Sequence, residues 1–333
     1  GVIVLACELI DHNGEELLRI MNQYVSDWGW EDEFSQWMAN DCTICTTLVD
    51  TIVPGRIRDP KEAAAVAERL GYEDPFLAVR EPFQMWGIQG DESLKERLPF
   101  VKAGLPGVFV TPDVTPYKKR KVRILNGAHT AFVPGSWVAG FDIVRDCMHD
   151  ETIRGFMNTM LYDEVIPTLA ADLDVEDCKA FAAAVENRFD NPFIDHALLS
   201  ICLNSTAKWR ARDLPTLKDY VAETGSLPKC LATSLATLIA FYTQELVARE
   251  GDGLHLRRAD GTEYTAQDDA FVLDFYAAHA GVDDAELVHD VLTNEQMWGE
   301  DLTQIAGLEE FVVDALAVVR AEGVKQAFAN AQA

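Results

Sequence analysis

The spacing of apolar residues changes character near residue 114, and this change limits the fold more than any other feature of the chain. Before it, short apolar runs at Val2–Ala6, Leu48–Val53, Phe76–Val79 and Val108–Thr111 read as strands. Helix-period segments lie between them, at Glu15–Trp28, at Glu31–Ala39, and from Asp59-Pro60 to a stop at Gly71. Strands alternating with helices build an open α/β sheet. After Thr115 the period is helical almost throughout, over 116–133, 139–147, 150–170, 174–187, 191–210, 214–223, 228–249, 265–280, 283–293 and 307–328. A hairpin at Leu254–Tyr264, turning at Asp260-Gly261, is the exception. The expected architecture is an α/β part over residues 1–114 followed by a mainly α-helical domain over 115–333.

The first of those helices carries the densest chemistry. Thr115 reads as its N-cap, Pro116 as its first residue and Pro134 as its stop, with Val122, Leu125, Phe132 and Val133 as the apolar set. At about 100° per residue, Asn126 lies about 140° and His129 about 80° around from Lys121. The long lysine stem covers the remaining angle, so all three can share one wall of a cleft. Gly127 costs a helix interior about 1 kcal/mol relative to alanine. Close approach of a ligand or of another backbone is the expected reason for it. A partly desolvated lysine can trade a proton near neutral pH, and an amide beside an imidazole can donate to an oxygen on which charge develops. The residues alone leave a second reading open. In it, Lys118, Lys119, Arg120, Lys121 and Arg123 form a solvated basic face, and Asn126 and His129 are satisfied polar residues.

Charge narrows the partners. The chain has 55 acidic and 28 basic residues, a net charge of −27, which repels nucleic acid and anionic membrane. Five of the 28 basic residues fall within 118–123, and Lys208, Arg210, Arg212 and Lys218 form a second cluster. Such clusters either draw in an anion or are ordinary exposed helix positions. The 7 cysteines are scattered, with only Cys42 and Cys45 close together, so reduced thiols in the cytoplasm are expected. Cys230–Tyr242, the longest weakly polar run, is too short to span a bilayer and reads as a buried helix. His12, His149, His196, His255, His279 and His289 lack partners at ligand spacing and read as ordinary histidines. There is no G-x-G-x-x-G after a strand, and Gly1 opens on an apolar strand without a methionine, so the chain is expected to be a fragment.

The stretch K-V-R-I-L-N-G-A-H, Lys121 to His129, resembles the long-chain mannitol dehydrogenase family, whose pattern is lysine, four residues, asparagine, two residues, histidine. The likeness covers nearly the whole chain. C-E-L-I-D-H-N-G (Cys7–Gly14), L-V-D-T-I-V-P-G (Leu48–Gly55), E-P-F-Q-M-W (Glu81–Trp86) and L-N-S-T-A-K-W-R-A-R (Leu203–Arg212) are similar to its uronate branch, which interconverts a 5-keto hexuronate, tagaturonate, and the aldonate altronate. Fructuronate reductases and mannitol dehydrogenases proper share the helix and differ in the pocket. The resemblance implies the C-terminal part of a dinucleotide-binding domain joined to a substrate domain like the C-terminal domain of 6-phosphogluconate dehydrogenase. It implies NAD as cofactor, no metal, a small sugar acid as substrate, Lys121 as general acid and base, and Asn126 and His129 as holders of the reacting oxygen. Lys208 and Arg212 stand where the resemblance places substrate contacts. Thr46 stands where mannitol dehydrogenases have a second oxyanion asparagine, and its hydroxyl can donate the same bond. Lys118 stands where they have a glutamate. Glu8, just past the first strand, either faces the nicotinamide or caps the next segment. Against the enzyme reading stands a non-catalytic binding or assembly module, which the absent glycine loop would suit.

Overall fold

The strands β1 (Ile3–Leu5) and β2 (Thr43–Cys45) run parallel, Ile3 opposite Thr43 and Leu5 opposite Cys45. The computed structural model describes residues 1–333 apart from Leu9, Glu31, Pro54 and Arg58, so the expected helix start at Glu31 lies outside the described residues. Helices Asn13–Asp27 and Asp32–Asp41 carry the chain from β1 to β2, a crossover that a parallel pair requires. A second sheet follows, in which β4 (Met85–Gln89) pairs antiparallel with β3 (Thr47–Asp50) and parallel with β5 (Val108–Thr111). Cys45, Ile88, Leu94, Leu98 and Val110 form the core beneath. Asn13 locks the first helix onto β3, donating from Nδ2 to the Thr47 carbonyl and accepting the Thr47 N–H at Oδ1, both at 3.0 Å. Beside it, Gly14 lies so close to β2 that a Cβ there would collide with the Thr46 nitrogen.

Two strand expectations change. Phe76–Val79 is not a strand: Phe76 is 86% exposed, and Val79 makes only an isolated bridge to Gly55. An apolar run becomes a strand only where a neighbour completes its ladder, and here the ladder forms at Met85–Gln89 instead. Likewise β3 stops at Asp50, and Val53 is exposed.

The chain divides into two compact units, Gly1–Lys119 and Arg120–Ala333. The centre of the second is the helix Lys229–Tyr242, in which every residue after Lys229 is buried. Small and hydroxyl side chains let Gly127–Val138 and Leu308–Glu322 pack closely against it. Ser234 and Thr237 satisfy their hydroxyls within it, each donating to the carbonyl three residues back. Pro228 precedes the helix and offers no side-chain cap. The cap comes instead from Glu164, buried on the π-helical turn Met160–Val165, whose two oxygens accept the N–H groups of Cys230 at 2.7 Å and Leu231 at 2.9 Å.

The expected helix over 228–249 ends at Tyr242, and the expected two-stranded hairpin is a three-stranded antiparallel sheet of β6 (Glu245–Glu250), β7 (Gly253–Arg257) and β8 (Glu263–Ala266). The buried Arg258 pins this sheet, donating to the Trp137 carbonyl at 3.1 Å with its guanidinium over the Trp137 ring. The span 191–210 is broken into Leu198–Ile201 and Ser205–Arg212 by Asn204 in a left-handed conformation, and 307–328 is broken at Gly323. Pro134 does not stop its helix, which runs on to Val138. Close packing holds it there, since a Cβ at Gly135 would meet the Phe328 ring at 2.8 Å. Among the described residues no helix is long and apolar enough to cross a membrane.

Candidate active site

Thr115 is the first helical residue rather than the cap; the capping acceptor is Asp113, which takes the Thr115 N–H at 2.8 Å. The α-helix Thr115–Lys121 then widens into the π-helical turn Val122–Asn126 before Gly127–Val138 resumes regular winding. The Gly127 N–H reaches back five residues to the Val122 carbonyl. Such a register brings residues five apart onto nearly the same side of the helix, whereas regular winding separates them by about 140°. Lys121 and Asn126 are five apart, so the wide turn aligns the pair that the apolar pattern leaves splayed.

Gly127 has its close approach, but from a side chain: a Cβ there would lie 2.9 Å from Oδ1 of Asp213. Asp213 is buried, its Oδ2 has no hydrogen-bond partner, and burial outweighs Arg212 and Arg123 to hold its carboxyl well above the usual range.

His129 is 5% exposed and stacks on Phe189 with ring centroids 4.0 Å apart. Its Nε2 has no hydrogen-bond partner. Burial, and after it the charge or potential charge of His196, Arg212, Arg188 and Lys208, holds its pKa well below the ordinary value, so the imidazole is neutral. His196 meets it edge to face at 5.5 Å and is itself shifted down by burial.

The two cationic clusters separate into distinct roles. Arg120 pairs with Asp177 and lies over Phe181, Arg123 bonds Thr216 and Asp219, and Lys118 pairs with Asp11, so these three of the first cluster are neutralised by the chain itself. In the second cluster, Lys218 pairs with Glu300, and Arg210 is exposed against Gly299. Lys208 and Arg212, four residues apart on one helix, turn inward. Lys208 donates to the Ile201 carbonyl at 2.9 Å, and burial followed by Arg212 lowers its pKa. Arg212 donates to Thr130 Oγ1 at 3.0 Å, and Thr130 in turn donates to the Asn126 carbonyl at 2.9 Å.

The Asn126 carbonyl, His129, Lys208 and Arg212 thus share one neighbourhood of the second unit. Thr46 lies in the first unit, buried between β2 and β3. Sequence reasoning did not place His196, Arg188 or Asp213 in this neighbourhood. Asp213 reads as the N-cap of Leu214–Thr224, yet its side chain makes no capping bond. For His196, the polar turn D-N-P-F-I-D-H directly before the lysine-bearing segment is the signal that could have found it.

Comparison with known proteins gives the family and the fold. The mannitol dehydrogenase C-terminal domain model matches residues 113–320, and the mannitol dehydrogenase Rossmann domain model matches residues 1–102. An altronate oxidoreductase of Yersinia enterocolitica is 41% identical over 335 residues, covering 99% of this chain and 66% of that protein. One from Escherichia coli is 41% identical over 333 residues, 98% of this chain and 65% of the relative. The chain therefore spans about two thirds of the length of these curated relatives. Among solved structures, Pseudomonas fluorescens mannitol 2-dehydrogenase, in a ternary complex with NAD and D-mannitol, superposes with a TM-score of 0.72 at 21% identity, over 98% of this chain and 62% of that one. A D-sorbitol dehydrogenase in substrate-free form gives 0.77 at 20% identity, with the same coverage of 98% and 62%. At these identities the structural likeness speaks for the fold, an α/β unit followed by a mainly helical one. The two domain models and the relatives place the chain without ambiguity: it belongs to the mannitol dehydrogenase family.

Proposed function

We propose that this chain carries the catalytic centre of an NAD-dependent sugar-acid oxidoreductase that interconverts D-tagaturonate and D-altronate in the cytoplasm. The observation that carries the reading is the wide turn, which aligns Lys121 with Asn126 one turn before a buried, neutral His129. The 41% identity to altronate oxidoreductases favours the sugar-acid substrate over a neutral polyol.

In the reducing direction, Lys121 in its ammonium form hands a proton to the carbonyl oxygen as negative charge develops on it. The Asn126 amide and His129 Nε2 donate hydrogen bonds to the same oxygen. A neutral imidazole suits this role: it donates from Nε2 without competing to release a proton, and that nitrogen has no other partner in the protein. In oxidation Lys121, deprotonated, takes the proton from the hydroxyl. Thr46 keeps its assignment as a substrate hydrogen-bond donor on the strength of the resemblance. Lys208 and Arg212 supply positive charge for the substrate.

Residues of the first unit fit the nicotinamide end of a dinucleotide. Open α/β sheets bind ligands beyond the carboxyl ends of parallel strands, and exposed Cys7 and Glu8 follow β1 at such an end. When bound there, the dinucleotide supplies or accepts the hydride. The test is the NADH-linked reduction of D-tagaturonate, D-fructuronate and D-fructose by the protein expressed in its natural reading frame. The expected order of kcat/KM places tagaturonate first; a preference for fructose would overturn the assignment.

A further inference from the structure

The reaction proposed above uses Lys121, Asn126 and His129 and leaves the surroundings of the imidazole unexplained. Four groups act on His129 electrostatically, His196, Arg212, Arg188 and Lys208, and every one of them is a cation or can become one. An acid acts on two of them, Asp268 on Lys208 and Asp213 on Arg212, without forming an ion pair with either. Asp213 is pushed towards its neutral form, and Asp268, the acid that acts on Lys208, is already taken up by the Tyr242 hydroxyl and the Thr206 N–H. Among the described residues, neither Lys208 nor Arg212 forms an ion pair.

This is unusual for a chain with 55 acidic residues and only 28 basic ones. Arg120, Arg123, Arg145, Arg154, Arg249 and Lys218 each have a carboxylate within salt-bridge distance. Partly buried cations without a counter-ion are costly, and a counter-ion arriving with a ligand removes that cost. Donors are also left over: Lys208 spends one N–H on Ile201, and Arg212 spends one on Thr130.

We propose that Lys208, Arg212 and His196 form a carboxylate subsite beside His129, with His196 as a specificity-determining residue that separates sugar acids from neutral polyols. Lys208 and Arg212, on one helix face, supply the charge, and Arg212 offers its remaining N–H groups to the carboxylate oxygens. His196 closes the side next to His129, its ring set edge-on to that imidazole, and adds a donor there. His129 Nε2 is left for the reacting oxygen at the other end of the sugar. This subsite rests on the reading of the Lys121–His129 helix as the reaction centre, but binding to it does not require turnover.

The test uses D-gluconate, a sugar acid with no carbonyl to reduce, and D-mannitol, a neutral polyol of the same chain length. Each is titrated into the protein by calorimetry and by following the histidine C2–H resonances. Gluconate should bind at least about tenfold more tightly than mannitol, should weaken as chloride is added, and should shift the resonances of both His129 and His196. His196→Gln, Lys208→Met and Arg212→Gln should each weaken gluconate by about tenfold or more, and mannitol several-fold less than gluconate. Gluconate binding no better than mannitol in the wild type, or variants that weaken both equally, would overturn the proposal, and the wild-type titration decides the matter even if a variant does not fold. The two readings fail separately. If Lys121→Ala keeps normal turnover while gluconate selectivity persists, the reaction assignment falls and the subsite stands. If Lys121→Ala abolishes turnover while gluconate shows no selectivity, the subsite falls alone.

Discussion

Glu164→Gln gives a stability test whose sign changes with pH. The Glu164 carboxyl is buried at the start of the central helix, and burial, partly offset by the Cys230 and Leu231 N–H groups, pushes its pKa from 4.5 up to about 7. Each unit of pKa is worth about 1.4 kcal/mol, so the ionised form costs the folded state about 3 kcal/mol relative to the unfolded chain. A carboxyl raised in this way contributes its stability in full below about pH 4.5 and loses it as the pH rises through about 7. Asp163 on the same turn adds to the upward push. Glutamine does not titrate, and it can accept one of the two N–H bonds. At pH 5 the variant should therefore lie within about 1 kcal/mol of the wild type, the net worth of one hydrogen bond. At pH 8.5 it should be the more stable protein by about 2–3 kcal/mol. Denaturant unfolding at both pH values, followed through the fluorescence of Trp209 and Trp298, which pack edge to face in the same unit, measures the difference. A gap that does not change with pH, or a wild type that gains on the variant as pH rises, would refute the reasoning. It would mean that two N–H donors and a helix N-terminus outweigh desolvation here.

Lys121→Ala should lower turnover by about 10²–10⁴-fold and remove one limb of the pH–rate profile, as steady-state kinetics across pH will show. Gly127→Ala forces a methyl against Asp213 Oδ1 and should cost about 1–3 kcal/mol by thermal or denaturant unfolding, with kcat falling more than KM rises because Asn126 is the residue displaced. Asn13→Ala removes both bonds to Thr47 and leaves a buried N–H and C=O unpaired, a loss of about 2–4 kcal/mol visible as early proteolysis within residues 1–119. Cleavage no faster than in the wild type would show that the helix is held by other contacts.

Much of the candidate site is legible in the sequence because its residues lie close together in the chain. Lys121, Asn126 and His129 fall within nine residues, and the i, i+4 spacing of Lys208 and Arg212 already puts both on one helix face. What stays hidden is not local. The wide turn is a change of hydrogen-bond register, and side-chain periodicity does not encode register. His196 and Asp213 lie 67 and 84 residues beyond His129, and only the packing of other helices brings them in. The fold shows the same division. The long amphipathic and all-apolar helices are legible in kind, whereas β2, three residues long, and β4, interrupted by a glycine, have no apolar run of their own and exist because neighbours pair with them.

The cap that Glu164 lends to the central helix also bears on how that helix opens. The first N–H groups of most helices face water and exchange their hydrogens quickly, so helices fray from that end. Here Cys230 and Leu231 are held by a buried carboxylate from elsewhere in the chain, and the residues that follow are buried on every side. The N-terminal end is therefore closed to exchange creeping inward. Amide deuteration of Cys230–Tyr242 should therefore occur only when the whole helical unit opens, which makes this helix an internal clock for the unit's global unfolding.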